Sequence, residues 1–361
     1  MTPTFTQVHN RFRLNGHYYS FEDLMEVAYS FVKEGEPYQE QIGNFLLDWL
    51  DKKDYIIAKT SGSTGRPKKL KIKKQAMVNS AIMTGDYFGL KPGDKVLNCL
   101  PSNFIAGKMM IVRAIALGLR LELVEPSAYP LIDYEKKYDF CAFTPMQLKY
   151  FLNYCKNLKT IIVGGAPVSK SLLESIQGIK ANVYETFGMT ETVSHIAMKK
   201  LNNFKKPKDL SKLHFKTLPD VHVSQDERGC LVIDAPKLVE KPIVTNDMVT
   251  LYSDSEFDWL GRWDHVINTG GIKVFPEQIE HKLQKFINRR FFIASVPDET
   301  LGQKVLLIIE GEPFEIEDSL FDSLDKFEKP RETYFLNSFA ETASHKVHRN
   351  RTIKKLNLQK P

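Results

Sequence analysis

The sequence predicts an α/β fold, and three observations carry the prediction. Short apolar runs alternate with helical runs from Tyr55 to Thr186. Loops rich in Gly, Ser, Thr and Pro follow several of the apolar runs. From about His214 the helices drop out and short strands take over. Alternation of this kind builds a mostly parallel sheet flanked by helices. Ligands of such sheets sit beyond the carboxyl ends of the strands, so loops that follow strands are the places to look for chemistry. The expected organisation is a large N-terminal domain, residues 1–262, with mostly parallel sheets plus a β-rich subdomain. A small α+β C-terminal domain, 263–361, follows.

Taken in order, Ser20 to Lys33 reads as a helix, with Ser20 as N-cap and Asp23 three residues on. Ile42, Leu46 and Trp49 place one apolar stripe on a second helix. Tyr55–Lys59, Lys95–Leu100, Leu119–Val124, Tyr138–Phe143, Lys159–Val163 and Asn182–Thr186 have the length and apolar character of buried strands. Lys74–Phe88, Ile105–Leu117, Met146–Tyr154 and Ser169–Gln177 read as the helices between them. His214–Val223, Cys230–Ile233 and Val249–Tyr252 are expected as strands of the β-rich part, and Gly261–Asp264 as the junction. Beyond it a helix at Pro276–Phe286, strands at Arg290–Val296 and Lys304–Ile309, a helix at Glu317–Phe327 and a strand at Thr333–Leu336 complete the small domain.

Composition narrows the class of function. The 361 residues hold 50 Lys and Arg against 44 Asp and Glu, a net charge of +6. Lys346, Arg349, Arg351, Lys354, Lys355 and Lys360 account for that excess, with no acid between His345 and Pro361. The charge is therefore local, which excludes a nucleic-acid-coating surface, and no nucleic-acid partner is expected. Cys99, Cys141, Cys155 and Cys230 show no metal-ligand spacing and read as buried small hydrophobes of a reducing, cytoplasmic setting. The N-terminal residues lack the apolar core of a secretion signal. The most apolar stretch, Met109 to Val124, is interrupted by Arg113, Arg120 and Glu122, so no membrane span is expected. The sequence itself sets no oligomeric state.

The sharpest local signal is Thr60-Ser61-Gly62-Ser63-Thr64-Gly65-Arg66-Pro67-Lys68, directly after a strand. Glycines let backbone N–H groups turn toward a ligand, hydroxyls add donors, and Lys68 completes a cradle for a polyphosphate. A flexible surface turn has the same composition. A Walker loop is excluded, because Pro67 stands where that motif needs Gly. The segment resembles the phosphate loop of the adenylate-forming superfamily, the AMP-binding acyl-CoA synthetases and their relatives.

Further motifs of that superfamily follow in its order. Gly164-Gly165-Ala166-Pro167 resembles the adenine-side loop, and Tyr184 to Thr192 resembles the aromatic-Gly-x-Thr-Glu signature. The resemblance implies that Phe187 lies on adenine beside Gly188, that Thr190 reaches the phosphate, and that Glu191 coordinates Mg²⁺. Thr245-Asn246-Asp247 resembles Thr-Gly-Asp, with Asn in place of Gly. Gly261-Arg262-Trp263-Asp264 and Asn268 to Glu280 resemble the hinge segment. There Asp247 and Arg262 would hold the ribose, Asp264 would be the pivot, and Gly270-Gly271 would line a coenzyme A tunnel. Thr342-Ala343-Ser344-His345-Lys346 resembles the C-terminal Thr-x-x-Gly-Lys motif, with His345 in place of Gly, and makes Lys346 the catalytic lysine of a mobile small domain.

The activity so implied is ATP-dependent ligation of an acid to coenzyme A through an acyl-adenylate. A carboxylate attacks the α-phosphorus itself, so no side-chain nucleophile is required; positioning and charge stabilisation do the catalysis. The expected partners are a small-molecule carboxylic acid and coenzyme A, with ATP and Mg²⁺. The segment from Gly164 to His195 is most similar to the o-succinylbenzoate–CoA ligases of menaquinone biosynthesis. Lys108 is a candidate partner for the second carboxylate of such an acid, and Ser194 and His195 are candidate contacts to the aromatic acid. Each has a plainer reading, an exposed helix residue for Lys108 and a structural role for the histidine. Another aryl or acyl acid–CoA ligase or adenylating domain is the alternative within the class. An inactive nucleotide- or CoA-binding protein is the alternative outside it.

Overall fold

The computed structural model describes residues 3–59, 69–204, 213–341 and 347–356. After the short strand β1 (Arg13–Leu14) come α1 (Phe21–Glu34) and α2 (Pro37–Leu50). Ser20 caps α1 reciprocally: its hydroxyl accepts from Asp23 N at 3.1 Å, and Asp23 Oδ2 accepts from Ser20 N at 2.8 Å. This satisfies two backbone donors at the helix start. Ile42, Leu46 and Trp49 are buried on α2.

β2 (Tyr55–Lys59) pairs antiparallel with β3 (Lys69–Lys73), register Tyr55↔Lys73 to Lys59↔Lys69, in a two-stranded sheet of its own. Tyr55–Lys59 is thus not a strand of the parallel sheet. Its partner alternates Lys and apolar residues, a half-buried pattern that the strand assignments from sequence passed over. Then follow α3 (Lys74–Phe88), β4 (Lys95–Asn98), α4 (Ile105–Leu117), β5 (Arg120–Leu123), β6 (Tyr138–Phe143), α5 (Pro145–Phe151), β7 (Leu158–Val163), α6 (Lys170–Ser175) and β8 (Asn182–Gly188). The β-rich part comprises β9 (His195–Lys200), β10 (Phe215–Thr217), β11 (His222–Gln225), β12 (Cys230–Asp234), β13 (Ile243–Leu251) and β14 (Glu256–Arg262).

All of these except β2 and β3 join one sheet of 12 strands, ordered β1-β5-β4-β6-β7-β8-β9-β10-β14-β13-β12-β11. Pairing is parallel from β1 to β8 and antiparallel from β8 onward. The β-rich part therefore continues the parallel sheet, and the change of sense falls at the β8–β9 turn, where the Phe187 to Glu191 signature lies. The expected strand His214–Val223 is two strands, because Pro219 and Asp220 (φ +61°) break it. α4 is buried almost all round, Arg113 included, and packs beside α3.

Beyond a 3-10 turn at Trp263–His265 lie β15 (Ile267–Thr269), β16 (Ile272–Val274), α7 (Pro276–Leu283), β17 (Phe291–Asp298), β18 (Gly302–Glu310), β19 (Glu332–Leu336) and α8 (Arg349–Lys355). Their core, including Ile267, Ile279, Ile293 and Leu307, is built from residues of this segment alone. The helix expected at Glu317–Phe327 is only a 3-10 turn at Asp318–Phe321. Asp318, Ser319, Asp322, Ser323 and Asp325 crowd that stretch, and such side chains compete for backbone partners; Ser319 Oγ turns to Glu317. The basic tail is partly folded: Arg349 donates to Glu280 Oε2 at 2.8 Å and to Ile293 O at 3.0 Å, and Thr352 is buried. Among the described residues no helix is long and apolar enough to cross a membrane.

Candidate functional site

β7 runs into Gly164 and Gly165. A Cβ on Gly164 would lie 2.6 Å from Thr186 Oγ1, and Gly165 adopts φ +86°, so the local backbone accounts for both glycines. Gly165, Ala166 and Pro167 are exposed. Directly after this loop Val168 N donates to Glu185 Oε1 at 3.0 Å, while Glu185 Oε2 pairs with Lys199 at 2.7 Å.

At the end of β8 the half-buried Phe187 ring meets Phe257 edge-on at 5.2 Å. A Cβ on Gly188 would stand 2.4 Å from Ser194 O, so the turn closes only on glycine. Thr190–Thr192 forms a 3-10 turn with Glu191 exposed and Thr192 fully buried. Thr192 Oγ1 accepts from Met189 N at 3.0 Å and lies within donating distance of Met189 O and Ser194 O, at 3.0 and 2.8 Å. Val193 follows at φ +68°, an uncommon conformation for a β-branched residue, closed by Ser194 N donating to Thr192 O at 2.7 Å. Thr192→Val is expected to destabilise the fold by about 1–3 kcal/mol, because it orphans a buried donor and acceptors; urea denaturation at constant m-value measures it.

The turn delivers Ser194 and His195 to Arg113, a residue that the sequence reading used only to exclude a membrane span. Arg113 Nη2 donates to Ser194 Oγ at 2.8 Å and lies 3.5 Å from His195 Nδ1. Arg113 is 2% exposed, and among the described residues no carboxylate pairs with it. Burial pushes its pKa down to about 9, which still leaves a cation at neutral pH. His195 Nε2 sits 3.1 Å from Thr84 Oγ1. Burial, and then the Arg113 charge, hold the imidazole well below its ordinary pKa. A lone Arg among the apolar residues of α4 was the available signal; Ser194 lies 81 residues away in sequence.

Lys108 is not part of this cluster. Its Nζ lies 4.7 Å over the Phe45 ring, and burial brings its pKa down to about 8 while Asp48 opposes the shift. A second cluster joins Asp247 on β13 to Arg262, its partner on β14. Asp247 Oδ1 accepts from Trp259 Nε1 at 3.0 Å and lies 3.8 Å from Arg262 Nη1. Burial raises the Asp247 pKa, against the pull of Trp259 and Arg262. Asp264 accepts from Arg262 Nη2 at 3.0 Å and from Asn246 Nδ2 at 2.9 Å, so Asn246 anchors the junction. Arg262 Nε is buried without a partner. Gly270 and Gly271, at φ +58° and +80°, form the two-residue turn between β15 and β16. Phe327 would meet a Cβ on Gly270 at 2.7 Å, whereas Gly271 faces open space. Thr60 to Lys68, and Thr342 to Lys346, lie outside the described residues.

The described part of the site can therefore offer one free exposed carboxylate (Glu191), a carboxylate and a guanidinium side by side (Asp247 and Arg262), and a buried cation without an acid (Arg113). Magnesium is commonly held by one or two carboxylates plus substrate phosphates, which a single exposed Glu191 fits. Among the described residues no group of three His, Cys, Asp or Glu forms a cage for a metal.

Comparison with known proteins bears on what these residues are. The AMP-binding enzyme family matches residues 22–232, more than half of the chain. The 2-succinylbenzoate–CoA ligase of Listeria monocytogenes is 26% identical over 92% of this chain and 76% of its own length. That of Enterococcus faecalis is 24% identical over 82% and 68%. Among solved structures, an acyl-CoA synthetase (AMP-forming)/AMP-acid ligase II-like protein from Dyadobacter fermentans is 34% identical, with TM-score 0.58, covering 92% of this chain and 98% of that one. The o-succinylbenzoate coenzyme A synthetase of Bacillus subtilis, in complex with ATP and magnesium, shares the fold at TM-score 0.70 and 19% identity, covering 82% and 69%. With its motifs in family order and its sheet of the family's architecture, the chain belongs to the AMP-binding enzyme family of adenylate-forming enzymes.

Proposed function

We propose that the chain is an ATP-dependent acid–CoA ligase whose acid is o-succinylbenzoate, which places it in menaquinone biosynthesis. One observation carries the choice of acid: the buried Arg113 cation, with no carboxylate partner among the described residues, behind the half-exposed Ser194 that follows the Glu191 turn. A buried charge is costly unless something neutralises it. A dicarboxylic acid brings the missing anion; a fatty acid does not. The names of the Listeria and Enterococcus relatives support the same acid.

On this reading Ser61 to Thr64 and Lys68 hold the phosphates, the Gly164 to Pro167 loop with Phe187 and Gly188 flanks adenine, and Asp247 with Arg262 holds the ribose. Thr190 would reach the phosphate, and Glu191 would hold Mg²⁺, which when bound supplies charge that offsets the triphosphate. Lys346 stabilises the adenylation transition state. Residues 263–361 act as a lid pivoting at Asp264, and the open backbone at Gly271 receives the pantetheine arm. A panel of carboxylic acids assayed for AMP release with and without coenzyme A tests the proposal. Selective turnover of o-succinylbenzoate is expected, and preference for medium-chain fatty acids would overturn it.

A further inference from the structure

We propose that Thr84 and His195 are positioning residues for the acid's second carboxylate, with Thr84 fixing the tautomer of His195 and His195 fixing Arg113. This rests on the reading of Arg113 given above. Hydrogen-bond bookkeeping on α3 and β9 leads to it. Thr84 Oγ1 donates its only proton to Ser80 O, one helical turn back, at 2.9 Å. Toward His195 Nε2, at 3.1 Å, the hydroxyl can therefore only accept. Nε2 must carry the imidazole proton, and Nδ1 is left as a lone pair.

That lone pair faces a donor. Arg113 Nη2, at 3.5 Å, is the donor assigned to Nδ1; Ser194 Oγ lies at 3.4 Å but keeps its proton for another partner. Guanidinium has no acceptor, so an Nδ1–H tautomer would set two N–H groups against each other in a buried site. The Nε2–H tautomer instead holds the guanidinium in place. Arg113 in turn donates to Ser194 Oγ at 2.8 Å, which leaves the Ser194 hydroxyl proton free to point away from Arg113. Ser194 is the half-exposed member of the chain and His195 the buried one. The carboxylate thus meets Ser194 first, with the Arg113 charge behind it. His195 acts on the acid through Arg113 without touching it.

The order Ser80 O, Thr84, His195, Arg113, Ser194 is a single hydrogen-bonded path from the α3 backbone to the acid. Because it starts on a buried helix, it fixes the cation before the acid arrives, and preorganisation of this kind lowers the cost of binding.

Two measurements on the full-length protein test it. Imidazole ¹⁵N NMR of the wild type should give His195 as neutral Nε2–H throughout pH 6–8; an Nδ1–H tautomer would overturn the proposal. Thr84→Val keeps the shape and removes the acceptor. It should raise KM for o-succinylbenzoate about fivefold to tenfold, the scale of one buried hydrogen bond. kcat should stay within about twofold, with KM for a monocarboxylate such as benzoate unchanged. Thr84→Ser should restore KM. An unchanged o-succinylbenzoate KM in Thr84→Val, or an equal rise for both acids, would overturn it. If Arg113 itself proves irrelevant to the choice of acid while the NMR result stands, the substrate reading fails and the tautomer assignment does not.

Discussion

Lys346→Ala is expected to slow acyl-adenylate formation by roughly 100- to 1,000-fold, the scale of losing one preorganised charge at a developing anion. Thioester formation from supplied acyl-adenylate should stay within about threefold of wild type. The asymmetry follows from the chemistry of the two steps. In the first, a carboxylate approaches a triphosphate and pyrophosphate leaves, so negative charge gathers on groups that repel each other. On the proposed assignment Glu191 would hold magnesium and the donors of Ser61 to Thr64 are neutral, so Lys346 and Lys68 are the protein cations assigned to the reacting phosphates. In the second step a thiol attacks an acyl carbon and AMP departs with one phosphate, so the demand for a cation is smaller. Isotope exchange of pyrophosphate into ATP reads the first step, and AMP release from synthetic acyl-adenylate plus coenzyme A reads the second. Equal loss in both would remove the two-step role assigned to Lys346.

Much of the fold was legible because local rules and the global fold agree. Ser20 and Asp23 cap α1 as their spacing requires, and the bounds of α3 and α4 match the apolar runs that marked them. Legibility fails where long-range pairing decides. β3 looks like a charged linker until β2 lies beside it, and β10 and β11 look like one strand until the Pro219–Asp220 bend is placed. The acidic stretch after Glu317 has helical spacing but the wrong side chains for a helix interior. The site divides in the same way. Its nucleotide-side motifs are contiguous in sequence and announce themselves. The proposed acid side joins Thr84, Arg113, Ser194 and His195, which come from α3, α4, the β8–β9 turn and the start of β9. No local pattern joins them: Lys108 lies over the Phe45 ring, while Arg113, five residues on, is inside the core against Ser194.

Arg113→Met separates stability from function and so tests the acid side most sharply. Methionine fills a similar volume and carries no charge. A buried guanidinium without a carboxylate holds a desolvation cost of several kcal/mol that its neutral partners, Ser194 Oγ and His195 Nδ1, offset only in part. The variant is therefore expected to melt at the same temperature as the wild type or a few degrees higher. Its kcat/KM for o-succinylbenzoate should fall by roughly 100-fold, within the range for removing one partner of a buried charge pair. Its kcat/KM for benzoate should change by less than about threefold. Loss of stability with retained diacid turnover would make Arg113 a packing residue, and the choice of acid would then need another cation. If the variant is at least as stable as the wild type and loses only diacid turnover, the desolvation cost of Arg113 is offset by the second carboxylate of the substrate and not by the fold.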